Sequence, residues 1–218
     1  MTSASSRTLL CLGDSNTHGT CPMRHRDDAR RLGRAERWPG VLQAALGPGW
    51  HVIEDGLPGR TIGRDDPVEG ADRNALRTLP ASLQAHRPLD VVVFMLGTND
   101  LKARFGASAV QIAEGAHALI DMVLANTLPG AARVQVLLVC PPPIEEHGVL
   151  ADMFSGGAAK ARRLAAAMQA VAAQRGVAFL DAGEHIAVST EEGIHLDAAA
   201  HARLGVVIAD AVRSLALG

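Results

Sequence analysis

The chain has 218 residues, 48% of them hydrophobic and 20% charged, a composition that suits a single folded domain over residues 1–218 and excludes intrinsic disorder. A formal net charge of −2, with four Phe, two Trp and no Tyr, excludes a nucleic-acid surface, which needs concentrated basic charge and stacking rings. No run approaches the ~20 apolar residues that span a bilayer, and residues 1–7 hold no apolar signal segment, so no membrane partner and a cytoplasmic location are expected.

In chain order, a strand-length apolar run at 8–12 leads into Gly13-Asp14-Ser15, and helical periodicity follows at 38–46. A second run at 51–54 precedes a helix at 72–86. The very apolar third run, 90–96, precedes a helix at 108–126. The fourth, 133–140, ends at a proline tract and is followed by a helix at 157–174. The fifth, 177–180, leads to a last helix at 197–215. Continuous apolar strands alternating with amphipathic helices predict a flavodoxin-like, three-layer α/β/α sandwich around a five-stranded parallel sheet. Such a sheet places its active crevice beyond the carboxyl ends of the strands. Two stretches fit the alternation poorly, 21–37 and 59–71. They are rich in Arg, Asp, Gly and Pro, and loops of that length are usually functional or interfacial. The arginines between Arg24 and Arg37 are interleaved with Asp27, Asp28 and Glu36, which reads as a solvated or intersubunit loop. Cys11 and Cys140 sit in apolar runs and are expected to be buried thiols, and no C-x-x-C pair suggests a metal.

Four segments carry chemistry, and the first three directly follow predicted strands. In Gly13-Asp14-Ser15-Asn16-Thr17, a serine on a sharp strand-to-helix turn can aim its hydroxyl into the crevice and its backbone N–H at a developing oxyanion. Taken alone, Asp-Ser is ordinary turn material. In Gly56-Leu57-Pro58-Gly59-Arg60-Thr61, Gly59 can offer a backbone N–H where a side chain would block approach. In Met95-Leu96-Gly97-Thr98-Asn99-Asp100, the Asn99 carboxamide can face an oxyanion, or Asn99 and Asp100 can cap the next helix. In Glu191-Glu192-Gly193-Ile194-His195-Leu196-Asp197, His195 can take a serine proton through one ring nitrogen while an acid holds the other. Glu192, three residues earlier, is within reach, and Asp197 is expected to cap the last helix.

In this order the four segments resemble blocks I, II, III and V of the SGNH hydrolase family, also called GDSL esterases, over nearly the whole chain from Leu10 to His195. The run into Cys140-Pro141-Pro142-Pro143 and the segment Phe179-Leu180-Asp181-Ala182-Gly183 look like its small bacterial arylesterase/acyltransferase branch. That branch contains octameric enzymes that transfer acyl groups to alcohols even in water. The resemblance implies Ser15 as nucleophile, His195 as general base and then acid, and an oxyanion hole made by the N–H groups of Ser15 and Gly59 and the Asn99 side chain. It implies no cofactor and no metal, a small-molecule ester as partner, and a homo-oligomer, up to an octamer. Where the family has Asp three residues before the histidine, this chain has Glu192. Glu191 and Asp181 compete with it for the role of acid, and the spacing favours Glu192. Asn16, His18 and Thr20 stand where that branch often carries Leu or Trp, so a more polar, wider pocket is expected, with Asn16 and Thr20 binding substrate.

The expected function is therefore a serine carboxylic ester hydrolase for short-chain, acetyl-type esters, with an acyl enzyme and a capacity for transfer to alcohols. A carbohydrate acetylesterase or a thioesterase would use the same residues. A non-catalytic flavodoxin-like binding module is the reading from another class. The two long excursions are expected to take part in assembly around the active-site mouth.

Overall fold

The computed structural model describes residues 6–126 and 133–216; of the N-terminal stretch inspected for a signal segment, residues 1–5 lie outside it. Five strands, β1 (Arg7–Gly13), β2 (Trp50–Gly56), β3 (Val91–Met95), β4 (Gln135–Cys140) and β5 (Ala178–Asp181), form one parallel sheet in the order β2-β1-β3-β4-β5. The helices are α1 (Ser15–His18), α2 (Trp38–Leu46), α3 (Ala75–His86), α4 (Ala109–Ala125), α5 (Gly157–Arg175) and α6 (Ala198–Arg213).

Alternation along the strands builds the three layers, because successive side chains leave a strand on opposite faces. Leu10, Leu12, Val92, Phe94, Val136 and Leu138 point to one face and pack with Leu79, Ile112, Leu119 and Leu164 of α3, α4 and α5. Leu9, Cys11, Val91, Val93, Leu137 and Val139 point to the other and pack with Trp38, Leu42, Leu204 and Ile208 of α2 and α6. Each large side chain in these layers is buried, and each such burial contributes about 1.5–3 kcal/mol. Cys11 and Cys140 are both buried free thiols. Burial pushes both well above the usual thiol range, so they pack and do not react.

The helix starts follow local chemistry. Asn74 caps α3, a reciprocal Ser108/Gln111 capping box opens α4, and Asp197 caps α6 by accepting from Ala200 N–H at 2.8 Å. Because β2 lies on one side of β1 and β3 on the other, the chain reverses direction across the sheet at the β1/β3 boundary. That reversal opens a crevice beyond the carboxyl ends of these two strands, where Ser15 and Asn99 both lie.

Candidate active site

Ser15 is the first residue of α1, directly after β1, with Asp14 as the cap accepting from Asn16 N–H at 2.9 Å. His195 comes from the loop before α6, and the sheet topology brings it across 180 positions of sequence to the serine. Ser15 Oγ lies 3.0 Å from His195 Nε2, and His195 Nδ1 lies 3.0 Å from Glu192 Oε2. The other Glu192 oxygen accepts from the backbone N–H of Ile194 at 3.1 Å and from that of His195. Glu192 is fully buried and His195 nearly so, while Ser15 keeps a small opening to solvent. Burial alone would raise the Glu192 pKa, but the hydrogen bonds and charge of His195 outweigh it and hold this carboxyl below its ordinary value. It is therefore an anion facing an imidazole N–H, which fixes the tautomer with a bare Nε2 toward Ser15.

The rival acids lie elsewhere. Glu191 forms an exposed ion pair with Arg24 at 2.9 Å, and Asp181 accepts from Gly183 N–H at 2.8 Å to start a short 3₁₀ turn.

Gly59 and Asn99 flank the serine in the same cavity, which has a volume of about 490 Å³. Asn99 Nδ2 donates to Arg60 O at 3.1 Å, and its other hydrogen faces Asp14 at a long 3.4 Å. At that distance the second contact is a weak one. Asp14 is pushed up to about 6 by burial, partly offset by the Asn16 N–H and by the charges of His195, Arg60 and Lys102. Asp100 does not cap a following helix. Its carboxylate accepts from Ile62 N–H at 2.9 Å and so anchors the segment that carries Gly59.

Thr20 and His18 line the cavity, joined by a 3.1 Å hydrogen bond. The expectation for Asn16 is corrected. Its side chain turns away from the cavity, donating to Ile194 O at 3.2 Å and accepting from Leu196 N–H at 3.0 Å. It clasps the backbone on both sides of His195 instead of meeting substrate.

The model of the GDSL-like lipase/acylhydrolase family matches residues 11–203. The chain belongs to that family. Among solved structures, it is similar to the native aryl esterase of M. smegmatis, with 39% identity, 96% of this chain and 100% of that one covered, and a TM-score of 0.91. It is also similar to Est24, a carbohydrate acetylesterase from Sinorhizobium meliloti, with 38% identity, coverage of 96% and 99%, and a TM-score of 0.90. No curated protein sequence matches it. The fold is that of an SGNH hydrolase and the protein is an ester hydrolase, which sets aside the non-catalytic binding module.

Several residues of this GDSL-like hydrolase's site escape a reading by motif. Arg60, buried, donates to Gly13 O at 2.9 Å and to the Asp55 carboxylate at 2.8 Å, tying the Gly59 turn to the ends of β1 and β2. A 3₁₀ segment, Gly148–Phe154, supplies the apolar wall with Leu150, Met153 and Phe154. Both long excursions also wall the cavity, 21–37 through Met23, Arg26 and Arg30 and 59–71 through Gly59 and Glu69. Lys102, almost fully buried, lines it as well. Among the described residues, no group of His, Cys, Asp and Glu could hold a metal ion, and no helix is long and apolar enough to cross a membrane.

Proposed function

We propose that this protein hydrolyses short-chain, acetyl-type esters through an acyl enzyme on Ser15. His195 takes the serine proton as Oγ attacks the ester carbonyl, the backbone N–H groups of Ser15 and Gly59 and the Asn99 carboxamide receive the oxyanion, and His195 passes the proton to the departing alcohol. Water, or a second alcohol, then attacks the acyl enzyme with His195 again as base, giving hydrolysis or acyl transfer. Glu192 holds the imidazole and stabilises its charged form.

The observation that carries this reading is the continuous contact chain from Ser15 Oγ through His195 to the buried Glu192 carboxylate, opening onto one cavity. Ser15→Ala should abolish turnover of p-nitrophenyl acetate, and retained turnover would sink the proposal. A carbohydrate acetyl ester as the natural substrate is favoured by the polar wall of His18, Thr20 and Glu69 and by the likeness to Est24. Profiling acyl chain lengths against acetylated sugars separates the two. Assembly into a homo-oligomer, up to an octamer, belongs to the same proposal and rests on the resemblance to the arylesterase/acyltransferase branch. Sedimentation as a monomer at micromolar concentration would count against it.

A further inference from the structure

Gly59 is more than an unobstructed backbone donor. Its φ is +81°, a conformation that side chains rarely adopt, and a Cβ built on it would overlap Glu69 Oε2. The Glu69 carboxylate thus occupies the space where any other residue at 59 would carry its side chain, directly beside the proposed oxyanion donor. It is held there firmly. Its Oε1 accepts from Lys102 Nζ at 2.5 Å and from Arg104 Nη2 at 2.7 Å. The same two cations hold Asp66, at 3.6 and 2.5 Å, and Asp66 in turn accepts from the N–H groups of Val68 and Glu69. Glu69 is therefore fixed through both its backbone and its head group. Yet Oε2 accepts no hydrogen bond among the described residues, and Glu69 and Lys102 line the same cavity as Ser15 and Asn99.

Charge explains why a carboxylate is tolerable beside an oxyanion hole. Lys102 and Arg104 balance Asp66 and Glu69, so the cluster is formally neutral, and both cations bond Glu69 through Oε1, not through Oε2. Beside Lys102, Glu69 brings to the cavity wall a fixed carboxylate with one oxygen, Oε2, that accepts no hydrogen bond among the described residues. Such an acceptor favours a neutral O–H donor and repels an anion; an aryl or alkyl group placed there would leave it without a partner.

We propose that Glu69 Oε2 is a hydroxyl-recognition point, and that the preferred ester carries a free hydroxyl close to its carbonyl. This rests on the esterase reading above and narrows it. The hydroxyl can belong to a polyol-type alcohol half or to a hydroxyacyl half, and two substrate pairs distinguish them: glycerol monoacetate against propyl acetate, and ethyl lactate against ethyl propanoate.

The wild-type enzyme should prefer the hydroxylated member of at least one pair by roughly tenfold or more in kcat/KM, the worth of one hydrogen bond to a charged acceptor. Glu69→Gln, which turns an amide donor toward the same point, and Glu69→Ala should collapse that ratio toward one. If both members of each pair lose activity equally in the variants, Glu69 only supports the loop and the inference fails. A wild-type ratio near one in both pairs overturns it without recourse to a variant, so misfolding of the variants cannot shelter it. Absence of turnover on every ester, with no labelling of Ser15 by a fluorophosphonate, overturns the esterase reading itself and this inference with it.

Discussion

Glu192→Gln tests the acid assignment most sharply, because the three hydrogen bonds at this carboxylate constrain what an amide can do. Glu192 is fully buried, with one oxygen on the backbone N–H groups of Ile194 and His195 and the other on His195 Nδ1. A glutamine that keeps its carbonyl on the two backbone donors must turn its NH₂ toward Nδ1. The imidazole then becomes the acceptor on that side and carries its proton on Nε2, facing Ser15, where it cannot serve as base. The opposite rotamer restores the ring contact but sets an NH₂ against two buried N–H groups, each left unsatisfied at about 1–3 kcal/mol. Either way the geometry survives while the tautomer or the loop is lost. An Asp→Asn change in a comparable triad leaves about 10⁻⁴ of kcat, which is about 5.5 kcal/mol of transition-state stabilisation. A loss of kcat on that order, with KM little changed, is expected for p-nitrophenyl acetate, alongside a thermal unfolding check that the variant is folded. Turnover within tenfold of wild type would refute the tautomer argument and remove Glu192 from the triad.

Other substitutions probe the neighbours. Asn99→Ala should lower kcat by about 10²–10³-fold, the usual loss on deleting one oxyanion donor; steady-state kinetics with an unchanged kcat would exclude the Asn99 carboxamide from that role. Asn16→Ala leaves Ile194 O and Leu196 N–H unpaired on either side of His195, so kcat should fall about tenfold or more and the unfolding free energy by about 2–4 kcal/mol; denaturant titration and kinetics that both match wild type would contradict the clasp. His201 accepts from Trp38 N–H at 3.1 Å, and burial lowers its pKa from 6.5 to about 4. Between those values the unfolded chain holds the proton and the folded one does not, so stability falls with falling pH, by about 3 kcal/mol across the interval. His201→Asn keeps an acceptor without the titration, so urea unfolding at pH 7 and pH 4.5 should find the wild type losing ground to it in acid; parallel losses would refute the linkage. Asp14 and Asp100, which burial pushes up to about 6, work in the opposite direction. They are protonated in the folded state at pH values where they are charged in the unfolded one, which is why a comparison of variants, and not the bare profile of the wild type, isolates His201.

The strands and helices were legible because their signals are local and periodic. The apolar run at 8–12 became β1 at Arg7–Gly13, and the helix expected at 157–174 became Gly157–Arg175. The third helix begins at Ala75, not at 72, because Asn74 provides the cap and a 3₁₀ turn, Ala71–Arg73, precedes it. Asn16 was misread because adjacency in sequence says nothing of direction. In a short helix starting at Ser15, positions 15 and 18 share a face, so Ser15 and His18 both reach the cavity while Asn16 turns about 100° away, toward the histidine loop. The Glu69, Lys102 and Arg104 cluster leaves no trace in either period, since its members are joined only in space and sit on turns and a three-residue 3₁₀ helix, Ala103–Phe105. The apolar wall at Gly148–Phe154 is hidden for the same reason.

The Glu-for-Asp departure becomes intelligible once the whole loop is considered. A carboxylate three residues before His195 has two tasks, to reach Nδ1 and to satisfy the N–H groups of the turn that carries the histidine. Glu192 does both with separate oxygens, which its extra C–C bond of about 1.5 Å allows. Such a side chain needs its backbone set back from the ring. The loop that carries it is closed by Gly193 N–H donating to Ser189 O and Ser189 N–H to His195 O, and is tied to the segment after β4 by Glu145 N–H donating to Gly193 O, at 2.9, 2.8 and 2.8 Å. Behind it lies Gly148, where a Cβ would come within 2.6 Å of Glu192 Cα, so the backbone at 192 rests directly on a position that has no side chain. The length of Glu192, the turn's hydrogen bonds and the glycine behind them therefore form one arrangement, and the residue that looks like a conservative change in the motif is a change in how the His195 ring is held.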